Sequence, residues 1–165
     1  TFDPAKAWKT IKNQLAIEPS DEVLEVGCGA GNIAQHIENS YVGVDPSQSL
    51  ILKHLQILNN AVCVADAADL PFADNTFDHV ICIGVFAYFK DKQYTLKAIS
   101  EMQRIARKGI YIGNIRHTAQ CKRKKHIIKG TTTHLLHDIS DFPESFKESE
   151  ALYDDEYYFC CYKIK

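Results

Sequence analysis

Val23-Leu24-Glu25-Val26-Gly27-Cys28-Gly29-Ala30-Gly31 is the stretch that decides the fold. Its first four residues read as a short buried strand, and glycines then stand at every second position. With no Cβ at 27, 29 and 31, the turn can bend tightly and its backbone can lie against a ligand. The pattern over residues 30–37 predicts a helix, whose first N–H groups would face the same ligand. A strand, glycine turn and helix in this order suit an adenosine-containing cofactor.

Two common phosphate templates fail on these residues. The dinucleotide pattern G-x-G-x-x-G requires glycine at position 32, which is Asn32. The pattern G-x-x-x-x-G-K-[ST] fails as well, because no Lys-Ser or Lys-Thr follows the glycines. Glu25 adds a discriminator. A carboxylate at the approach to the turn would repel a pyrophosphate, yet it suits a ligand that carries an ammonium and a sulfonium.

Working outward, residues 41–45 read as a second strand ending on Asp45, and residues 61–67 as a third closing on Asp66. A carboxylate at the end of the second strand is the usual partner of two ribose hydroxyls in nucleoside-binding α/β folds. Residues 70–78 then read L-P-F-A-D-N-T-F-D and lead into an apolar strand over 79–83. In the run from Glu25 to Gly31, and in the segment 70–78, the chain resembles the class I S-adenosylmethionine-dependent methyltransferases, whose motifs are [DE]-x-G-x-G-x-G and L-P-F-x-D-x-x-F-D. The resemblance is strong from 23 to 89 and weak after 116. It implies S-adenosylmethionine as cofactor, held by Glu25, Gly27, Cys28, Gly29, Gly31 and Asn32 at the first turn. It further implies Asp45 and Pro46 after the second strand, Ile83 and Gly84 after the fourth, and Asp66 accepting from the adenine amino group beside the Ala67 N–H.

Strands alternating with helices predict an α/β fold with a doubly wound, mostly parallel, Rossmann-like sheet and right-handed crossovers. Asp3-Pro4 reads as a cap and first residue of a helix carrying Trp8, Ile11 and Leu15 on one face. Ser47 is expected to cap a helix with Leu50, Ile51, Leu55 and Leu58 facing inward, and Asp91 one with Ile99, Met102 and Ile105 buried. Residues 108–115 read as the fifth strand and 142–146 as a short helix. The apolar runs 150–153 and 157–164, flanking Asp154-Asp155-Glu156, read as a closing hairpin. The resemblance implies the strand order 3-2-1-4-5-7-6 with an antiparallel C-terminal strand.

At 165 residues the chain is the size of one core, and residues 1–165 are expected to form a single methyltransferase domain. Relatives usually add N-terminal covering helices, so whether an N-terminal cap is missing stays open. The formal net charge of −2 gives no global drive toward nucleic acid or anionic membranes. No apolar run reaches the length of a membrane span, and no signal-peptide pattern opens the sequence. The six cysteines show no C-x-x-C pair and no ligand spacing, which argues against a metal. Cys160 and Cys161, as strand neighbours, point to opposite faces and should not pair. Reduced thiols in a cytoplasmic protein are the simplest reading.

The implied chemistry is transfer of a methyl group to a nucleophile held in line at the carboxyl ends of the strands. Residues 84–89 and 113–117 are expected on the rim. Tyr88 has two open uses: packing over the cofactor, or positioning the substrate. His117 and His134 are the candidates for a general base, with His137 as a third. The run from Arg116 to Lys129, rich in Lys and Arg, could dock a phosphate-bearing acceptor, but it lacks the stacking aromatics that RNA binding usually adds. The expected acceptor is therefore a small molecule or a carrier-linked group, a sugar among the options. The alternatives are an RNA or protein acceptor using residues 116–129, and a partner subunit that binds the cofactor without catalysis. The acceptor atom and the oligomeric state are not legible.

Overall fold

The fold is that of a computed structural model, which describes residues 2–116, 135, 137–149, 152 and 158–165. The Asp3 carboxylate accepts from Ala5 N and Lys6 N at 3.0 and 3.1 Å, and Pro4 follows it. This cap satisfies donors that a helix start leaves unpaired and launches α1 (Pro4–Leu15). The helix stops where Ala16 turns left-handed at φ 52°, and it buries Ala7, Trp8, Ile11 and Leu15.

The strands are β1 (Glu22–Val26), β2 (Ser40–Asp45), β3 (Ala61–Val64), β4 (Phe77–Ile83), β5 (Ala106–Arg116), β6 (Lys147–Ser149) and β7 (Tyr158–Ile164). Two further helices are α2 (Gln48–Ile57) and α3 (Lys92–Ile105). These strands form one sheet in the order β3-β2-β1-β4-β5-β7-β6, as the resemblance implied. Strands β1 to β5 pair in parallel, while β7 runs antiparallel to both β5 and β6. All carboxyl ends of the parallel strands therefore meet along one edge of the sheet, which is where the glycine turn lies.

Alternation along each strand divides the core in two. Ile81, Tyr111 and Cys160 pack with Trp8, Ile11 and Leu15 of α1 on one face. Cys82, Ile112 and Cys161 pack with Ile99, Met102 and Ile105 of α3 on the other. Cys160 and Cys161 thus serve opposite cores, and the five cysteines among the described residues are free. Each such buried aliphatic side chain contributes roughly 1.5–3 kcal/mol of transfer free energy. The far edge of the sheet is closed by charge. Asp21, almost fully buried, accepts from Glu18 N, His79 Nε2 and Lys108 Nζ at 2.9, 3.0 and 2.5 Å.

Several expected elements differ. After the glycine turn, the helix expected over 30–37 is only a 3₁₀ turn, Ala34–His36. Gly31 is left-handed at φ 92°, and β2 begins at Ser40, so little chain remains to repay the nucleation of an α-helix. In α2, Ser47 caps as expected, but Leu50 and Leu55 face outward and the buried stripe is Ile51 and His54. The apolar pattern misled because the inward residue next to the turn is a polar one. The helix expected over 142–146 is absent. A 3₁₀ turn, Ile139–Asp141, precedes it, and Phe142 is extended (φ −100°, ψ 152°), as a residue before Pro143 should be. The hairpin exists, but its first strand is β6, earlier than the 150–153 expected, with Lys147 opposite Tyr162. An edge strand can be polar, so an apolar criterion passes over it. The third strand stops at Val64 rather than 67, which leaves Asp66 in a loop.

Candidate active site

The glycine turn is sewn to the end of β2. Gly27 N and Cys28 N both donate to the Val44 carbonyl, at 2.7 and 3.0 Å. Gly29 sits at φ +51°, and a Cβ placed there would meet no atom within 4 Å. The residue therefore needs glycine for its backbone angle and faces open space. Its N–H donates to Asp45 Oδ2 at 3.0 Å, while Ser47 N donates to Asp45 Oδ1 at 2.9 Å. Each carboxylate oxygen keeps a further lone pair, so Asp45 can still accept from a ligand. His54 Nδ1 lies 3.3 Å from the Gly29 carbonyl, which can only accept, so that nitrogen donates.

Beneath the turn, Glu25 stands opposite Gly43 in the β1–β2 register. A Cβ at Gly43 would lie 2.6 Å from Tyr41 Oη and 2.9 Å from Cys28 Sγ, so the glycine makes room for both side chains. Tyr41 uses that room to donate to Glu25 Oε2 at 2.7 Å. Burial pushes the Glu25 carboxyl up to about 8, and the charge of Asp45 adds to this against the Tyr41 hydrogen bond. Burial, then Glu25 and Asp45, push the Cys28 thiol up to about 12, so it is a neutral packing group.

At the third strand end, Asp66 Oδ1 accepts from Ala68 N at 2.7 Å and from the Tyr94 hydroxyl at 2.5 Å. The Tyr94 bond, followed by Ala68 N–H, holds its carboxyl below the usual range. Between the first three strand ends lies a cavity of about 240 Å³, lined by Val26, Gly27, Val44, Pro46, Ala67 and Phe89 among others. Tyr94 walls this cavity and also a second, more charged one of about 640 Å³ that includes Asp66, Lys90 and Lys97. Gly84, at φ +73°, closes β4 with its N–H on the Gly113 carbonyl at 2.9 Å, and again a Cβ would meet nothing within 4 Å.

The structure thus brings Glu25, Gly27, Gly29, Asp45, Pro46, Asp66, Ala67 and Gly84 to one edge of the sheet. Asn32 and Ile83 adjoin them in the chain, at the glycine turn and the end of β4. Tyr88, on the 3₁₀ turn Phe86–Tyr88, lines the smaller cavity yet is 72% exposed. His117 and His134 lie outside the described residues, as does the basic run beyond Arg116. His137 is fully buried, with its ring edge-on to Phe86 and Phe142 at centroid distances of 5.9 Å, and burial keeps it neutral to lower pH than usual. Sequence reasoning missed Tyr41, His54 and Tyr94. The only signals were positional: Tyr41 stands two before Gly43, His54 three after Ile51, and Tyr94 three after its helix cap, Asp91.

Residues 24–112, more than half of the chain, match the model of a methyltransferase domain family. Among curated proteins, a probable tRNA methyltransferase 9B of Homo sapiens is 34% identical over 106 residues, taking in 61% of this chain and 22% of that protein. An ajmaline N-methyltransferase of Rauvolfia serpentina is 34% identical over 106 residues, 58% of this chain and 35% of that protein. The matched region therefore spans well under half the length of these relatives. Among solved structures, the magnesium protoporphyrin IX methyltransferase of Synechocystis with bound SAH superposes with a TM-score of 0.72 at 19% identity, covering 97% of this chain and 80% of that one. The chain belongs to the methyltransferase domain family, the class I S-adenosylmethionine-dependent methyltransferases.

Proposed function

From that membership we propose that the chain transfers a methyl group from S-adenosylmethionine to a small-molecule or carrier-linked acceptor. One observation carries the reading: three adjacent strands each carry an acid at or near the carboxyl end, Glu25 in β1, Asp45 closing β2 and Asp66 two residues past β3, around a glycine turn whose Gly29 faces open space. The cofactor fits what is present. Gly29 and Gly84 form a cradle that side chains would fill, and the 240 Å³ cavity beside them is lined mainly by apolar groups that suit a base. In this reading Asp45, already oriented by Gly29 and Ser47, accepts from the ribose hydroxyls. Asp66 and the Ala67 N–H meet the edge of the adenine, and Glu25 compensates the ammonium. When bound, S-adenosylmethionine supplies an already activated methyl group with a neutral thioether as leaving group.

The protein's own work is then orientation. The glycine turn at 27–29, tied down by its own N–H bonds to Val44 and Asp45, and the Asp45 carboxylate it orients hold one partner, and the rim at 84–89 and 113–116 holds the other at close range, where alignment lowers the barrier. The free thiols suit a cytoplasmic setting. An RNA acceptor is a second reading, supported by the tRNA methyltransferase among the relatives and by the Lys/Arg-rich run 116–129.

The test is calorimetry with S-adenosylmethionine, followed by transfer of its labelled methyl group to pools of sugar nucleotides, small amines, RNA and protein. Label in the small-molecule pools supports the first reading, and label in RNA alone replaces it with the second. Cofactor binding with no pool labelled favours a non-catalytic partner subunit.

A further inference from the structure

Tyr94 is held more firmly than its position at an open edge requires. Its backbone N donates to Asp91 Oδ1 at 2.7 Å, which fixes it in the first turn of α3. Its ring meets Phe89 edge-on with centroids 4.9 Å apart, and Lys90 Nζ lies 5.3 Å from the ring centroid. The hydroxyl then spans to Asp66, 28 residues earlier. Both bonds onto that carboxylate, from Tyr94 and from Ala68 N, fall on Oδ1, and among the described residues none falls on Oδ2. Asp66 is exposed and follows an edge strand, so without the tyrosine only the Ala68 N–H would hold its side chain.

We infer that Tyr94 is a positioning residue for base selectivity: by pinning Asp66 Oδ1 it leaves Oδ2 as the acceptor that reads the exocyclic amine of the adenine. This rests on the cofactor reading above and deepens it. An ionised carboxylate oxygen can only accept a hydrogen bond. It pairs with an amino group, and it faces repulsion from the carbonyl that replaces that amino group in a hypoxanthine base. A pinned acceptor discriminates between the two. A mobile one swings away from the wrong base and loses the distinction.

The probes are S-adenosylhomocysteine and S-inosylhomocysteine, titrated calorimetrically into the full chain as wild type, Tyr94→Phe and Asp66→Asn. Phenylalanine keeps the ring contacts with Phe89 and Lys90, so the melting temperature should stay close to that of the wild type. Wild type should prefer the adenosyl compound by about tenfold or more, the scale of one hydrogen bond to a charged group. In Tyr94→Phe the ratio should shrink to within about threefold, chiefly through weaker adenosyl binding. Asp66→Asn, whose amide can also donate, should shift the ratio toward the inosyl compound. An unchanged ratio in Tyr94→Phe overturns the inference while leaving the cofactor reading intact, and so does an equal loss of both ligands together with a lowered melting temperature. Failure of the wild type to bind S-adenosylhomocysteine overturns both.

Discussion

The Tyr41 hydroxyl donates to Glu25 Oε2 over 2.7 Å in the buried layer beneath the glycine turn. Burial lifts Glu25 from an ordinary 4.5 to about 8, so over that range the folded chain keeps a proton that the unfolded chain has released. Stability therefore falls as pH rises between those values, by on the order of 5 kcal/mol. Glu25→Gln should flatten that slope and be the more stable protein at pH 7 in urea unfolding. A ligand ammonium favours the ionised form, so wild-type affinity for S-adenosylmethionine should climb from pH 6.5 to 8.5 more steeply than that of Glu25→Gln. Parallel pH profiles for the two proteins would remove Glu25 from the ammonium site.

Asp45 links the turn to the strand end through Gly29 N and Ser47 N. Asp45→Ala leaves both donors without that partner and removes the proposed ribose contact. Cofactor affinity should fall at least about tenfold by calorimetry, with a melting temperature only ~2–4 °C lower. Undiminished affinity would dismantle the pocket as drawn.

Asn114 sits at φ +56° within β5, where the register with β7 slips between Ile112 and Ile115. Its Oδ1 is buried and has no hydrogen-bond partner among the described residues. The extra residue of a bulge commonly needs a left-handed angle, which costs asparagine more than glycine. Asn114→Gly relieves both the angle and the orphaned oxygen, so the domain should gain about 0.5–1 kcal/mol in denaturant unfolding. A loss of stability would mean that the amide has a partner role the geometry conceals.

At the opposite edge of the sheet, burial holds His79 neutral to below its ordinary 6.5, even though Asp21 Oδ2 lies 3.0 Å from its Nε2. As pH falls past 6.5 the unfolded chain takes up a proton that the native chain refuses, so stability declines. Burial acts to raise Asp21, but Lys108, Glu18 N–H and His79 together hold it below 3.8, so its contribution is lost only at lower pH. His79→Gln should remove the decline just below pH 6.5. Asp21→Ala, which leaves Glu18 N–H and His79 Nε2 without their acceptor while Lys108 keeps Asp78, should cost about 2 kcal/mol at pH 7. Both are read from chemical denaturation at stepped pH.

What the sequence determined by itself was the set of parallel strands and the acids near their carboxyl ends. Strand-length apolar runs with an acid at or near the end, and glycines at alternate positions, are local patterns, and local backbone physics is enough to read them. The edge strand Lys147–Ser149, the shortened helix after Gly31 and the inward turn of His54 were decided only in three dimensions. Each depends on what lies across the fold: a partner strand supplying hydrogen bonds, too little chain to wind a helix, a carbonyl of Gly29 needing a donor. The same holds for Tyr94 and Asp66, which 28 residues of chain separate and only the packing of α3 against the strand ends brings together. Spacing along a chain encodes neighbours on one element, whereas a hydrogen bond between elements exists only once the sheet has set their distance.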